Sequence, residues 1–169
     1  EGSFRVYIKK IGKGLNLKIS PEGINRVQNV REEEKRLGLG GVEIYKKFVE
    51  CVEDIKEKVT HFIRMEVKNG KRVYVYGAST KGNTLLQYFG LDASLITAAA
   101  ERNPDKWGTK TVGTNIPIIS EEQARTEHPD YFLILPWQFL SEFKKREIAF
   151  FQSGGKFIVR IEDTDKERS

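Results

Sequence analysis

From residue 71 onward, the sequence alternates short apolar runs with stretches of helical character, and this alternation restricts the fold more than any other feature. The apolar runs, which predict strands, are RVYVYG (72–77), LITAAAE (95–101), NIPII (115–119), YFLILPW (131–137) and KFIVRI (156–161). The helices predicted between them are residues 81–89, 120–126 and 139–152. Such alternation predicts an α/β fold, with a doubly wound, mostly parallel sheet that carries helices on both faces.

The part of the chain before residue 71 follows a different pattern. SFRVYIK (3–9) alternates apolar and polar residues as a strand does, and the glycines within residues 10–23 predict a linker. A helix is predicted from Ser20-Pro21-Glu22 to about Leu37, where glycines follow. The sheet is therefore expected to carry an N-terminal strand and helical segments as appendages.

A second, longer helix is the clearest one in the sequence. Its apolar residues recur at spacings of three and four and predict a packing stripe, which consists of Tyr45, Phe48, Val52, Ile55, Val59 and Phe62. The helix is about 25 residues long, and Asn69-Gly70 ends it.

Composition excludes several classes of protein. The chain has 169 residues, of which 38% are hydrophobic and 31% charged, as in globular domains. No apolar run reaches the ~18–20 residues of a membrane helix. A single cysteine forms no internal disulfide, so we expect a cytoplasmic protein with no membrane partner. Because the chain opens on Glu1-Gly2-Ser3 rather than Met, we also expect it to be part of a longer protein.

The formal charge of +5 favours anionic ligands. Four lysines, Lys9, Lys10, Lys13 and Lys18, lie close together near the start, but no basic stripe interleaved with aromatic residues follows, so nucleic acid is not an expected partner. Two histidines and one cysteine are too few and too scattered for a metal site.

The segment YVYGASTKGNTLLQYFG (74–90) predicts a strand, a tight turn and the start of a helix. It lacks the second glycine of the dinucleotide fingerprint G-x-G-x-x-G. It has the glycine spacing of the P-loop, G-x-x-x-x-G-K-[ST], but Asn83 stands at the lysine position. Nucleoside triphosphate hydrolysis is therefore not expected.

The segment still has the two properties by which such turns bind phosphate. A helix N-terminus offers unpaired N–H groups and a partial positive charge, to which Lys81 adds a full charge. We therefore predict a diphosphate site, and the alternative is a structural turn that a Ser or Thr caps. The predicted ligand residues of the turn are Gly77, Ser79, Thr80, Lys81, Gly82, Asn83 and Thr84.

Two more segments are expected at the same edge, because ligands of a Rossmann-like sheet bind beyond the carboxyl ends of its strands. Glu101 ends the second strand, where an acid commonly accepts hydrogen bonds from ribose hydroxyls. The loop ERNPDKWGTKTVGTNIP (101–117) follows, and its Trp107 either stacks on a base or covers the sheet edge. The further predicted substrate-binding residues are Glu101, Asn103, Lys106, Trp137 and Gln138, and no residue is predicted to be catalytic.

Four motifs occur along the chain in the order YGASTKGNTLLQYFG, ERNPDKWGTKTVGTNIPI, HPDYFLILPWQF and GGKFIV. Together they resemble the C-terminal domain of the S-adenosylmethionine-dependent sugar C-methyltransferases, which include nucleotide-hexose 3-C-methyltransferases. The resemblance covers about residues 35–161. GSFRVYI resembles the last strand of the family's methyl-donor-binding domain. The chain departs from common family residues at Pro136, Gln138 and Arg160.

The resemblance implies that different domains of the protein bind the methyl donor and the substrate. Residues 1–34 would be the end of a preceding methyltransferase domain and a linker, and residues 35–169 a C-terminal Rossmann-like nucleotide-sugar-binding domain. Preceding domains of the same protein would be this domain's partners. They would bind S-adenosylmethionine and carry the acid/base segment with Glu and His. The chain itself would hold a nucleotide-diphosphate sugar, namely a keto-deoxysugar, and would be inactive alone.

Two other functions remain open from the sequence. One is an oxidoreductase-like domain that binds NAD, against which the incomplete glycine fingerprint argues. The other is a non-catalytic interaction module, in which the long helix docks on a partner domain.

Overall fold

A computed structural model describes residues 20–159. The strand predicted at residues 3–9, the four lysines near the start and the last two residues of the strand predicted at 156–161 therefore lie outside the described residues. The chain divides into two compact units, of which the first ends at Val52 and the second begins at Glu53. The domain boundary predicted at residue 34 is a separate division and stays a prediction.

Two helices precede the sheet. Helix α1 spans Pro21–Arg36, and Ser20 caps it by accepting a hydrogen bond from the Gly23 N–H (3.1 Å). Helix α2 spans Glu43–Lys68 and contains the unit boundary. Among residues 20–159, no helix is both long and apolar enough to cross a membrane.

The predicted packing stripe of α2 is wrong for the helix's first half. Val59 is buried in the core of the second unit. Tyr45 and Phe48, which belong to the first unit, are 53% and 66% exposed. Within the second unit, Ile55 and Phe62 pack with Val59 against the sheet's core.

The second unit is built on five parallel strands. The strands are β1 (Val73–Tyr76), β2 (Ala99–Glu101), β3 (Ile118–Ser120), β4 (Tyr131–Leu133) and β5 (Lys156–Ile158). Their order in the sheet is β3-β2-β1-β4-β5, and each neighbouring pair is parallel. The helices of this unit after α2 are α3 (Thr80–Phe89), α4 (Glu121–Thr126), α5 (Leu140–Arg146) and α6 (Ile148–Gln152). This confirms the predicted α/β fold with a Rossmann-like sheet.

The alternation of side chains along β1 separates two cores. Val73 and Val75 lie in one core with residues of α2 and α3. Tyr74 and Tyr76 lie in the other with residues of α4, α5 and α6. All four side chains are buried, so the central strand is covered on both faces, as its apolar character requires.

The strands are shorter than the sequence predicts. The run at 95–101 becomes a strand only at Ala99, because Leu95 and Ile96 close a turn on the Asp92 carbonyl. The run at 131–137 leaves the strand after Leu133, and Trp137 begins a 3-10 turn, Trp137–Phe139. The third strand, predicted at 115–119, begins at Ile118.

The single helix predicted at 139–152 is also wrong, since Glu147 separates α5 from α6. Its backbone leaves the helical region (φ −103°, ψ 29°). Its carboxylate is buried and accepts hydrogen bonds from the Tyr76 hydroxyl (2.6 Å) and the Arg125 guanidinium (2.5 Å). The break thus coincides with a buried polar network that a helical periodicity does not reveal.

Candidate functional site

The strand order reverses between β1 and β4, so the carboxyl ends of these strands flank the expected ligand crevice. Gly77 leaves β1 with φ +89°, a conformation that other residues rarely adopt. Its N–H donates to the Ala100 carbonyl (2.7 Å). The chain can therefore turn directly from the buried strand into α3.

Ser79 is the N-cap of α3, and its hydroxyl accepts a hydrogen bond from the Gly82 N–H (3.0 Å). The N–H groups of Ser79 and Thr80 have no acceptor among residues 20–159. No acidic residue lies in the first turn of the helix. The N-terminus of α3 therefore presents amide donors and a partial positive charge to the crevice.

The first turn of α3 packs closely on the segment that follows β4. A Cβ atom on Gly82 would lie 3.4 Å from the Leu135 side chain. The Asn83 Oδ1 atom is buried and accepts no hydrogen bond within the described part of the chain. The Thr84 hydroxyl donates back to the Thr80 carbonyl (3.2 Å), so it serves the helix. Lys81 is exposed.

Glu101 lies beside this turn, where its carboxylate accepts four donors. Oε2 accepts the Ala78 N–H (2.8 Å) and the Lys106 Nζ (3.4 Å). Oε1 accepts the N–H groups of Arg102 (2.9 Å) and Asn103 (3.0 Å). Partial burial raises the pKa of the Glu101 carboxyl, but the N–H groups of Asn103 and Ala78 and the positive charge of Lys106 lower it by more, so the net pKa lies below its ordinary value. The group is therefore ionised at neutral pH.

The loop after β2 folds onto the same turn. A 3-10 turn spans Pro104–Lys106, and the Asn103 side chain caps it by accepting the Asp105 N–H (3.1 Å). The Lys106 Nζ donates to the Ala78 carbonyl (3.0 Å). Lys106, Glu101 and the turn thus come together by direct hydrogen bonds, whereas the Asn103 side chain serves its own loop.

Trp107 and Trp137 differ in their surroundings. The Trp107 Nε1–H donates to the Glu101 carbonyl (2.8 Å), and the ring lines a cavity of about 240 Å³ with residues that include Lys110 and Gln123. Trp137 and Gln138 are exposed and lie after β4, on the other side of β1 from Glu101.

Sequence reasoning missed Ala78, although both of its backbone polar groups are bonded to predicted site residues. A side chain without polar atoms gives no signal for such a role. What the sequence does show is an acid at the end of β2 followed by a Pro-containing loop, which marks the partners of Ala78 but not Ala78 itself. No group of three or more His, Cys, Asp or Glu side chains suited to a metal ion occurs among residues 20–159.

Comparison with known proteins decides the family. A family model described as the C-methyltransferase C-terminal domain matches residues 1–161. The chain belongs to this family of C-methyltransferase C-terminal domains. The chain is also similar to the C-methyltransferase NovU of Streptomyces niveus, with 36% identity over 135 residues.

That match covers 80% of this chain and 32% of NovU, so the chain spans about a third of the relative's length. The β1–α3 turn, Glu101 and the loop after β2 all lie within the residues that the family model matches.

Proposed function

We propose that this chain is the substrate-binding domain of an S-adenosylmethionine-dependent C-methyltransferase that acts on a nucleotide-linked keto-deoxysugar. Its ligand is the nucleotide diphosphate part of that sugar. The family supports methyl transfer to carbon by the full-length protein. The nucleotide sugar is what the resemblance of the four motifs implies, and the geometry of the crevice supports its diphosphate part.

The observation that carries the proposal is the N-terminus of α3. Its Ser79 and Thr80 amides face no acceptor among the described residues, and no acid lies in its first turn. Lys81 lies in that turn, and Lys106 reaches it from the neighbouring loop. The unpaired amides, the partial positive charge of the helix N-terminus and Lys81 suit a diphosphate, which carries several acceptor oxygens and negative charges.

The same residues do not fit S-adenosylmethionine. Its sulfonium is a cation, whereas the helix N-terminus and Lys81 make the turn positive, since Glu101 balances the charge of Lys106. The carboxylate at the end of β2, which would hold the donor's ribose hydroxyls, already accepts four donors. We therefore place the methyl donor on another part of the full-length protein and route no chemical step through this chain.

The role of the chain is then to bind and orient. Binding energy at the nucleotide end, far from the carbon that is methylated, holds the sugar in position for reaction elsewhere. Residues 20–159 are assigned no catalytic role, and the chain alone is expected to be inactive.

The proposal is tested by removing one cation from the turn. Lys81→Ala should weaken binding of UDP or dTDP by about 1–2 kcal/mol, because a charge-assisted hydrogen bond to phosphate is lost. Isothermal titration calorimetry measures the affinity. Lys145→Ala is the control, since it removes the same charge from the exposed side of α5. Equal affinities for the wild type and Lys81→Ala would mean that the β1–α3 turn is only a structural turn.

A further inference from the structure

The Ala78 peptide, which immediately precedes the N-cap of α3, is held at both of its polar groups. Its N–H donates to the Glu101 carboxylate (2.8 Å), and its carbonyl accepts from the Lys106 ammonium (3.0 Å). Lys106 and Glu101 also contact each other (3.4 Å). The three residues therefore form a closed ring of hydrogen bonds, which we call the Ala78 clamp.

The clamp uses the whole capacity of the Glu101 carboxylate. An ionised carboxylate has about four acceptor positions, and here each oxygen accepts two donors. The Glu101 side chain is 14% exposed. A ribose hydroxyl that bound this carboxylate would have to displace a backbone amide or Lys106, which would leave that donor unpaired and so disfavour the contact.

We infer that Glu101 and Lys106 are positioning residues, which fix the Ala78 peptide so that the Ser79 and Thr80 amides point at the diphosphate, and that Glu101 does not read the ribose. The inference rests on the proposed function, because it assumes a diphosphate at the N-terminus of α3. It replaces the ribose contact predicted for Glu101. A consequence is that Glu101 does not distinguish ribonucleotides from deoxyribonucleotides.

Glutamine cannot substitute for Glu101 in the clamp. Its single carbonyl oxygen serves one pair of donors, and its amide presents two further donors to the other pair. Aspartate keeps the charge but is one carbon shorter, so it cannot reach both pairs. The clamp thus depends on the length of the side chain as well as on its charge.

Three ligands separate positioning from ribose recognition. UDP has both ribose hydroxyls, dUDP lacks the 2′-hydroxyl, and inorganic pyrophosphate has no ribose. Glu101→Gln should lower the affinity for all three ligands by the same factor, about tenfold, which corresponds to ~1.4 kcal/mol. Calorimetry at a temperature where circular dichroism shows the variant folded gives the three affinities.

The sign of the effect is a second discriminator. Removing a carboxylate near an anion site strengthens anion binding if the charge acts only through space. Asp105→Asn removes the same charge from the same loop, and Asp105 uses only its backbone N–H in the hydrogen bonds described. Asp105→Asn should therefore leave affinity unchanged or raise it, whereas Glu101→Gln should lower it. Glu101→Asp, which keeps the charge, should lower it as well.

A loss for UDP and dUDP with unchanged pyrophosphate binding would show a ribose contact and overturn the inference. Unchanged affinity for all three would overturn it too. If the wild type binds none of the three, the proposed function fails together with the part of the inference that concerns the diphosphate, and hydrogen exchange still tests whether Glu101 holds the Ala78 peptide. The amides of residues 78–82 should exchange faster in Glu101→Gln than in Asp105→Asn, and equal rates would refute the clamp.

Discussion

Gly77 shows how a single residue sets the direction of the chain at the crevice. Its φ of +89° is strained for any residue with a Cβ atom, although no heavy atom lies within 4 Å of where that Cβ would be. The cost of a substitution here is therefore conformational rather than steric.

Gly77→Ala is expected to destabilise the protein by about 1–2 kcal/mol, which is the cost of a left-handed conformation for an L-residue. Urea unfolding followed by circular dichroism measures it. Gly40→Ala is the control, since Gly40 also has open space around it but no positive φ. A Gly77→Ala variant as stable as Gly40→Ala would mean that the turn relaxes without strain.

At the scale of single residues, the sequence predicted which side chains lie near the crevice, but not which hydrogen-bond partners each of them has. Glu101 was predicted from its place at the end of a strand, and Ser79 and Lys81 from the turn that follows β1, and their contact with a ligand stays a prediction. The sequence did not reveal that Glu101 bonds to backbone amides. That pairing depends on the path of the loop after β2, which no local pattern encodes.

Among the elements, the junction between α5 and α6 depends on a polar network. Arg125 of α4 donates to the buried Glu147 carboxylate (2.5 Å) and to Glu121 (2.9 Å). Arg146 of α5 donates to the Tyr76 hydroxyl and to Glu121, each at 2.5 Å. These bonds connect α4 and α5 to the end of β1.

Arg125→Ala should destabilise the protein by about 3 kcal/mol, because it removes the main partner of a buried charge. Urea unfolding at neutral pH tests this against Arg102→Ala, whose side chain is exposed and makes none of these bonds. A loss no greater than that of Arg102→Ala would show that the network contributes little.

The pH dependence of this variant has a definite sign. Burial raises the pKa of Glu147, but Arg125 and Tyr76 lower it more, so the folded pKa lies below the ordinary 4.5. A lowered pKa contributes stability above the unfolded pKa that is lost as the pH falls through the folded pKa. The deficit of Arg125→Ala should therefore be largest at neutral pH and shrink below about pH 4.5. A deficit that is constant with pH would exclude Glu147 as its source.

The sequence predicted the type and order of the helices and strands, but it predicted their first and last residues less well. Strand runs such as 131–137 overestimate β4, because Ile134 and Leu135 are buried outside the strand and Trp137 is exposed. Glu147 interrupts a regular helical periodicity because its side chain is bonded in the core. Tertiary contacts override local pattern in both cases.

For the chain as a unit, strand–helix alternation was sufficient to predict the parallel sheet, since parallel strands require crossover connections. Family membership followed from several motifs taken together and is confirmed by the match over residues 1–161. The identity of the substrate does not follow from such patterns, because it depends on contacts with a ligand. The match to NovU also covers only about a third of that relative.

Titration of the purified 169-residue chain with UDP, dTDP, S-adenosylmethionine and NAD separates the functions that the sequence left open. We predict that UDP and dTDP bind with modest affinity, and that this affinity falls as salt screens Lys81 and Lys106. S-adenosylmethionine and NAD are expected to give no heat of binding. Binding of S-adenosylmethionine or NAD, with no response to either nucleoside diphosphate, would contradict the assignment of the β1–α3 turn to the substrate.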